Sequence, residues 1–353
     1  MTSQTQPVRI GLIGAGGIAG AHVAGYRLNP ESVVFAAIAD PVRENAEKRR
    51  GDDPGVRIYD DYRDMIAAGG LDAVDICLPH HLHAEAVIAA ADAGLHVLCE
   101  KPLCLTQEEA AAIDAAVRRS GITVMCAHNQ LFQPAVAAAR EMIESGVLGR
   151  VYEVRTTDSF YNDFTPESMG WRAVAATAGG GELIDTGYHP LYLLQYLAGG
   201  TPVSVTAMLS RHRLDFMEGE DSAQVLVRYD NGVVGHVTTS WAYQPAVGTE
   251  KFSLVGEKGS LSSDGTTLVS RIRGEEPVSV TFEPVHEFAA EIAHFAESIR
   301  RGTRPIQTHE EGIDVLGVIL AAYESERSGR IVDVGRVAVT DVREAVPDSL
   351  PVG

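Results

Sequence analysis

The sequence predicts an α/β protein of two domains: a helix-clad parallel sheet, then a domain of helices and strands paired antiparallel. Three observations predict it. The chain of 353 residues is long enough for two cores. Short apolar runs alternate with helical patterns through its first part, as a buried parallel sheet requires. Later strands follow one another across hairpin turns, as antiparallel pairing requires.

Val8–Ile13 (VRIGLI) is an apolar run ending at glycines, Val33–Ala39 (VVFAAIA) a second and Ala73–Leu78 (AVDICL) a third; each reads as a buried strand. His96–Cys99 and Ile122–Cys126 continue the series. Between them, Thr106 and Glu109 form a capping-box pattern before a helix that Gly121 closes. The first turn, Gly14-Ala15-Gly16-Gly17-Ile18-Ala19, fits G-x-G-x-x-G/A directly after a strand and at the opening of a helix. A side chain at Gly16 would keep a pyrophosphate from the backbone, and a helix N-terminus offers free N–H donors. A Rossmann dinucleotide-binding domain is expected over residues 1–127. Its second strand ends at Asp40, whose carboxylate suits ribose hydroxyls and repels a 2'-phosphate, so NAD is expected over NADP, with Arg43 close enough to modify the preference. Gly14, Gly16, Gly17, Ile18, Asp40 and Arg43 are cofactor-binding candidates.

After Gln130 come a helix (Pro134–Ser145), a strand (Val151–Phe160) and a hairpin (Ala223–Ala242) whose Asn231-Gly232 suits a type I' turn. A strand at Lys251–Val255 and helices near Phe288–Arg300 and Glu310–Ser325 complete a domain placed at 128–335, with a tail at 336–353.

A net charge of -19 without a compensating basic stripe argues against nucleic acid. No apolar run is long enough for a membrane span, and the polar opening MTSQTQPVRI is no secretory leader, so a cytoplasmic location is expected. The four cysteines, Cys77, Cys99, Cys104 and Cys126, read as reduced, mostly buried thiols.

Three stretches resemble the Gfo/Idh/MocA oxidoreductases. Asp75–Leu103 carries Glu100-Lys101-Pro102, the hallmark tripeptide of that family; Gly179–Gly199 carries Asp185 and His189 in its D-x-x-x-H places; His309–Val334 is similar to its closing helix and strand. The resemblance covers roughly residues 7–335. It implies an N-terminal Rossmann domain followed by a C-terminal α/β domain on a large, open, mainly antiparallel sheet, a sugar or polyol substrate, and a homodimer or homotetramer formed through one sheet face. It also implies that the Pro79-His80-His81-Leu82-His83 loop borders the nicotinamide, making Pro79, His80, His83, Glu100 and Lys101 further cofactor-side candidates; relatives often carry Asn or Thr at His80. The histidines are not read as a metal site, since no neighbouring Cys or carboxylate completes a ligand set.

Hydride transfer from an alcohol needs a base for the hydroxyl proton and a charge that steadies the developing oxyanion. His189 suits the first, and a helix through Asp185 and His189 would put both on one face. Lys101, following the fourth strand of this reading, suits the second. All three match the family's catalytic positions, and His189 is the expected proton carrier. Asn129 falls in a stretch that lines the family's site, and Trp171 and Arg172 offer an aromatic face and a guanidinium for a sugar ring, its hydroxyls or a carboxylate. Relatives often place Asp three residues after the histidine, where this chain has Tyr192. The expected activity is NAD(P)-dependent oxidoreduction of a CH–OH group. Its alternatives are a redox-assisted glycoside hydrolase and a catalytically silent NAD sensor.

Overall fold

Apolar runs too short to be helices become strands covered on both faces. In the computed structural model, which describes residues 6–336 and 341–345, β1 (Val8–Ile13), β2 (Val33–Ala39), β3 (Arg57–Tyr59), β4 (Ala73–Ile76), β5 (His96–Cys99) and β6 (Val124–Cys126) form a parallel sheet in the order β3-β2-β1-β4-β5-β6. The three-residue β3 has no apolar run to announce it. Strand order reverses between β1 and β4, where open α/β sheets hold their ligands. The register sets Ala39, Ile13, Ile76, Cys99 and Cys126 in one row at the carboxyl edge. Asp40, the Gly14 turn, Cys77 and Glu100 therefore emerge side by side.

The chain divides into two units. The first takes the residues up to Cys104, Glu108–Asn129 and His286–Ile313; the second takes Leu105–Gln107, Gln130–Val285 and the described residues from Asp314 on. The helix Glu287–Arg301, placed by sequence order in the second domain, packs with the first. Asn29 Nδ2 of its partner's flank donates to Ala289 O (2.8 Å), and a Cβ on Gly25 would lie 2.5 Å from Ile292 Cδ1. Sequence order does not show this, because the partner, helix α1 (Ala19–Leu28), lies at the other end of the chain. The tail expected at 336–353 lies outside the described residues except at 336 and 341–345.

The second unit carries β7 (Val151–Ser159), β8 (Pro202–Ser210), β9 (Ser222–Tyr229), β10 (Val234–Ser240), β11 (Phe252–Gly256), β12 (Gly259–Ser263), β13 (Thr267–Ile272), β14 (Val278–Thr281) and β15 (Val332–Asp333). They form one sheet in the order β14-β13-β12-β11-β7-β10-β9-β8-β15, antiparallel except between β7 and β10. The helix Tyr188–Ala198 covers one face: Thr156 Oγ1 donates to Pro190 O (2.8 Å), and Gly235 leaves room for Leu194.

The hairpin forms at Asn231-Gly232, but its turn is not type I'. That turn needs a positive φ at both central residues, and no described non-glycine residue has one. Gly232 alone does (φ 88°), with Gly232 N–H donating to Tyr229 O (3.1 Å) and Tyr229 N–H to Val233 O (2.9 Å). This is a three-residue loop ending in a glycine bulge, which places the strain of a left-handed conformation on the one residue without a Cβ.

Among the described residues no helix is long and apolar enough to cross a membrane, and all four cysteines are buried free thiols.

Candidate active site

The glycine turn follows β1. Gly14 has φ 91°, and a Cβ on it would lie 2.5 Å from Cys77 O. At Gly16 and Gly17 an added Cβ would meet nothing within 4 Å, so packing does not demand these glycines. Open space over exposed backbone N–H groups at a helix start fits a dinucleotide pyrophosphate. Ile18, 37% exposed, leads into α1. Asp40 Oδ2 accepts from Ala15 N–H (2.7 Å) and Oδ1 from Val42 N–H (2.8 Å), so the candidate ribose acceptor also fastens the turn to β2. Arg43 is exposed and faces acids, Glu47 Oε1 (3.2 Å) and Asp60 Oδ1 (3.7 Å).

Beyond β4, Pro79 precedes a short turn in which His80 is buried. His83 is wholly buried, with Nδ1 2.6 Å from Pro102 O and Nε2 2.8 Å from Leu78 O; burial lowers its pKa against the pull of those carbonyls. It braces the β4 loop against the segment after β5. Lys101 is half-buried and Glu100 is buried.

Beneath Glu100 lies a polar cluster that the sequence reading missed. His22, wholly buried on α1, places Nδ1 2.7 Å from Asp75 Oδ2 and Nε2 3.0 Å from Glu100 Oε1. Tyr26 OH also donates to Asp75 Oδ2 (2.5 Å), and Glu100 Oε2 accepts the Lys101 backbone N–H (3.1 Å). Burial opposes charge on His22, but Asp75 outweighs it and raises the pKa well above the ordinary value. Burial likewise opposes the Glu100 charge, and the His22 hydrogen bond reverses it, lowering that pKa. The His22 ring, pulled toward its charged form, thus bridges two carboxyl groups and anchors the residue before Lys101. Its one sequence signal is a histidine on the apolar stripe Ala19, His22, Val23, Tyr26. Among the described residues, His22, Asp75 and Cys77 have the spacing to hold a metal ion. Both imidazole nitrogens already face carboxylates, and burial pushes the Cys77 thiol up to about 12, so hydrogen bonding accounts for the cluster.

In the second unit, Gly179-Gly180-Gly181 threads past the start of β9. A Cβ on Gly181 would lie 2.0 Å from Glu220 O, which no side chain could tolerate. The chain then reaches Asp185, in the turn before the helix rather than on it, since the helix begins at Tyr188. Asp185 Oδ2 accepts from Arg172 Nε (2.8 Å), and the Arg172 guanidinium lies 4.3 Å over the Trp171 ring. Trp241 Nε1 donates to Thr186 Oγ1 (2.8 Å) from an apolar group of Met169, Leu214 and Met217.

His189 is half-buried, with Nδ1 2.8 Å from the hydroxyl of buried Tyr192, which also accepts the Gln130 N–H (3.2 Å). The residue three after the histidine thus makes its polar contact through a phenol. Glu182 beside Asp185 is buried and bonded to Thr239 Oγ1; burial, with Glu220, Asp158 and Asp185 nearby, raises its pKa well above the ordinary value. Asn129, in the first unit, donates to Glu287 Oε2 (2.9 Å).

A parallel sheet with an open glycine turn at its strand-order reversal, and a lysine at the same edge, defines an NAD(P)-dependent oxidoreductase. The comparisons agree. A model described as the oxidoreductase family with NAD-binding Rossmann fold matches residues 8–128, and the GFO/IDH/MocA C-terminal domain matches residues 136–262. Levoglucosan dehydrogenase of Pseudarthrobacter phenanthrenivorans is 32% identical over 72% of this chain and 73% of its own length. The NAD(+)-dependent scyllo-inositol 2-dehydrogenase of Bacillus subtilis is 27% identical over 91% and 95%. A solved levoglucosan dehydrogenase, in complex with NADH and levoglucosan, superposes with a TM-score of 0.84 at 29% identity over 94% of this chain and all of that one. The chain belongs to the GFO/IDH/MocA oxidoreductase family.

Proposed function

We propose that this enzyme transfers a hydride between NAD and a hydroxyl-bearing carbon of a sugar, sugar derivative or cyclitol, and that Lys101, Asp185 and His189 act on the reacting hydroxyl. One observation supports the substrate class most: Trp171, Arg172 and Asp185 form a linked aromatic, guanidinium and carboxylate group in the unit that carries His189. An apolar ring face with fixed donors and acceptors is what a polyhydroxylated ring requires.

The nicotinamide, when bound, supplies the hydride acceptor or donor. The Lys101 ammonium hydrogen-bonds the reacting oxygen and favours its alkoxide form. His189 takes the hydroxyl proton, its ring fixed by Tyr192. Asp185, held by Arg172, contacts the reacting hydroxyl beside His189, Arg172 receives neighbouring hydroxyls, and Trp171 packs against the ring. Gly14, Gly16, Gly17 and Ile18 receive the cofactor phosphates. Asp40 favours NAD over NADP, and Arg43, already facing Glu47 and Asp60, offers little to a 2'-phosphate.

The protein is read as cytoplasmic, which suits its four free thiols. The sheet face opposite the helix Tyr188–Ala198 exposes Met208 (78%), Leu226 (45%), Val255 (44%) and Val234 (36%), which supports a homodimer or homotetramer through that face.

The test is incubation with NAD and a panel of sugars, polyols and cyclitols, following reduced nicotinamide by absorbance. Net reduction with one of them is expected. Glycoside cleavage without net reduction would overturn this reading in favour of a hydrolase. Lys101→Ala should still bind NADH and lose turnover; normal turnover would remove Lys101 from the chemistry.

A further inference from the structure

Arg49 lies on the last turn of the helix α2 (Arg43–Arg50) and reaches the glycine turn from its carbonyl side. Its Nε donates to Ala15 O (3.2 Å), and its Nη2 to Gly16 O (2.5 Å) and Gly17 O (3.3 Å). Its Nη1 sits 2.5 Å from where a Cβ on Gly20 would be, flush against the first turn of α1.

Two features of this contact are unfavourable for the protein alone. All three acceptors are neutral carbonyls, whereas Arg43 on the same helix faces Glu47 and Asp60; among the described residues no carboxylate forms an ion pair with Arg49. The guanidinium also packs against the positive end of the α1 dipole, where a cation is disfavoured. A half-buried, uncompensated cation beside a helix N-terminus becomes favourable when an anion arrives at that turn. The three carbonyl contacts hold one side of the turn, and the openness over Gly16 and Gly17 leaves the other for the ligand.

We propose that Arg49 is a further residue of the dinucleotide site: it fastens the glycine turn by its carbonyls and sets, from behind the turn, a positive charge that attracts a phosphate group of the cofactor. This rests on the NAD-binding reading above. The phosphate belongs to the pyrophosphate, common to both dinucleotides, or to the 2'-phosphate of NADP(H).

The experiment titrates NADH and NADPH by fluorescence into the wild type, Arg49→Met and Arg49→Gln, at low and high salt. Arg49→Gln keeps a hydrogen-bond donor without charge. Both variants should bind about tenfold more weakly at low salt, with the difference shrinking as salt screens it. In steady state the loss should fall on the cofactor KM rather than on kcat. Equal weakening for both dinucleotides assigns the pyrophosphate, and weakening confined to NADPH assigns the 2'-phosphate. Wild-type affinity for both dinucleotides in Arg49→Met, or full affinity in Arg49→Gln, overturns the proposal. A wild type that binds neither dinucleotide refutes the NAD-binding reading itself.

Discussion

Replacing His22 by Asn removes the imidazolium between Asp75 and Glu100, two carboxyl groups that are themselves buried. Breaking a buried ion pair costs about 3–5 kcal/mol, because the remaining charge keeps its desolvation penalty without its partner. Both carboxyl groups keep other donors here, Tyr26 OH and the Cys77 thiol on Asp75 and the Lys101 N–H on Glu100. The expected loss is therefore near the lower end, about 3 kcal/mol, which lowers the melting temperature by roughly 6–12 °C for a unit of this size. The pH dependence follows from the raised His22 pKa. A group bound more tightly to its proton when folded contributes fully below its ordinary value of 6.5 and loses that contribution as pH rises through the folded value. Urea unfolding of wild type and variant from about pH 6 to about pH 9 should show a gap that is widest at the acid end and narrows upward. A gap under about 1 kcal/mol, or one that widens with pH, would refute the charged reading of His22.

Four further outcomes follow. Burial pushes the Glu220 carboxyl up from 4.5 to about 7, so folding stability should fall as pH rises across that interval, and Glu220→Gln should flatten the decline in melts recorded over it. Gly181→Ala drives a methyl into the Glu220 backbone, and calorimetry should find a loss of about 3 kcal/mol or more. Tyr192→Phe removes the hydroxyl on His189 Nδ1; kcat should drop about tenfold or more while NADH affinity holds, and an unchanged kcat would detach Tyr192 from the reaction. Leu226→Arg places a charge on the open sheet face, and light scattering should report a smaller assembly than the wild type.

Local patterning carried much of the fold. Val8–Ile13, Val33–Ala39 and His96–Cys99 are strands with the bounds their apolar runs give, because a strand buried on both faces leaves a continuous apolar signature. The glycine turn was legible in its spacing directly after an apolar strand, and Gly16 has open space where an added Cβ would lie. Periodicity said less about Arg57–Tyr59, which is too short, and about the Asn231-Gly232 turn, where one glycine took the positive φ that a type I' turn shares between two residues.

What the sequence by itself determined was the alternation of strands and helices in the first part of the chain, the glycine turn after β1, and the residue types Lys101, Asp185 and His189 in a family pattern. Tertiary structure alone decided the partners: His22 between Asp75 and Glu100, Arg172 on Asp185, Tyr192 on His189, and the helix Glu287–Arg301 against the opposite end of the chain. Backbone pattern is written in neighbouring residues, whereas a buried charge is settled by whichever distant group the fold brings within hydrogen-bonding distance.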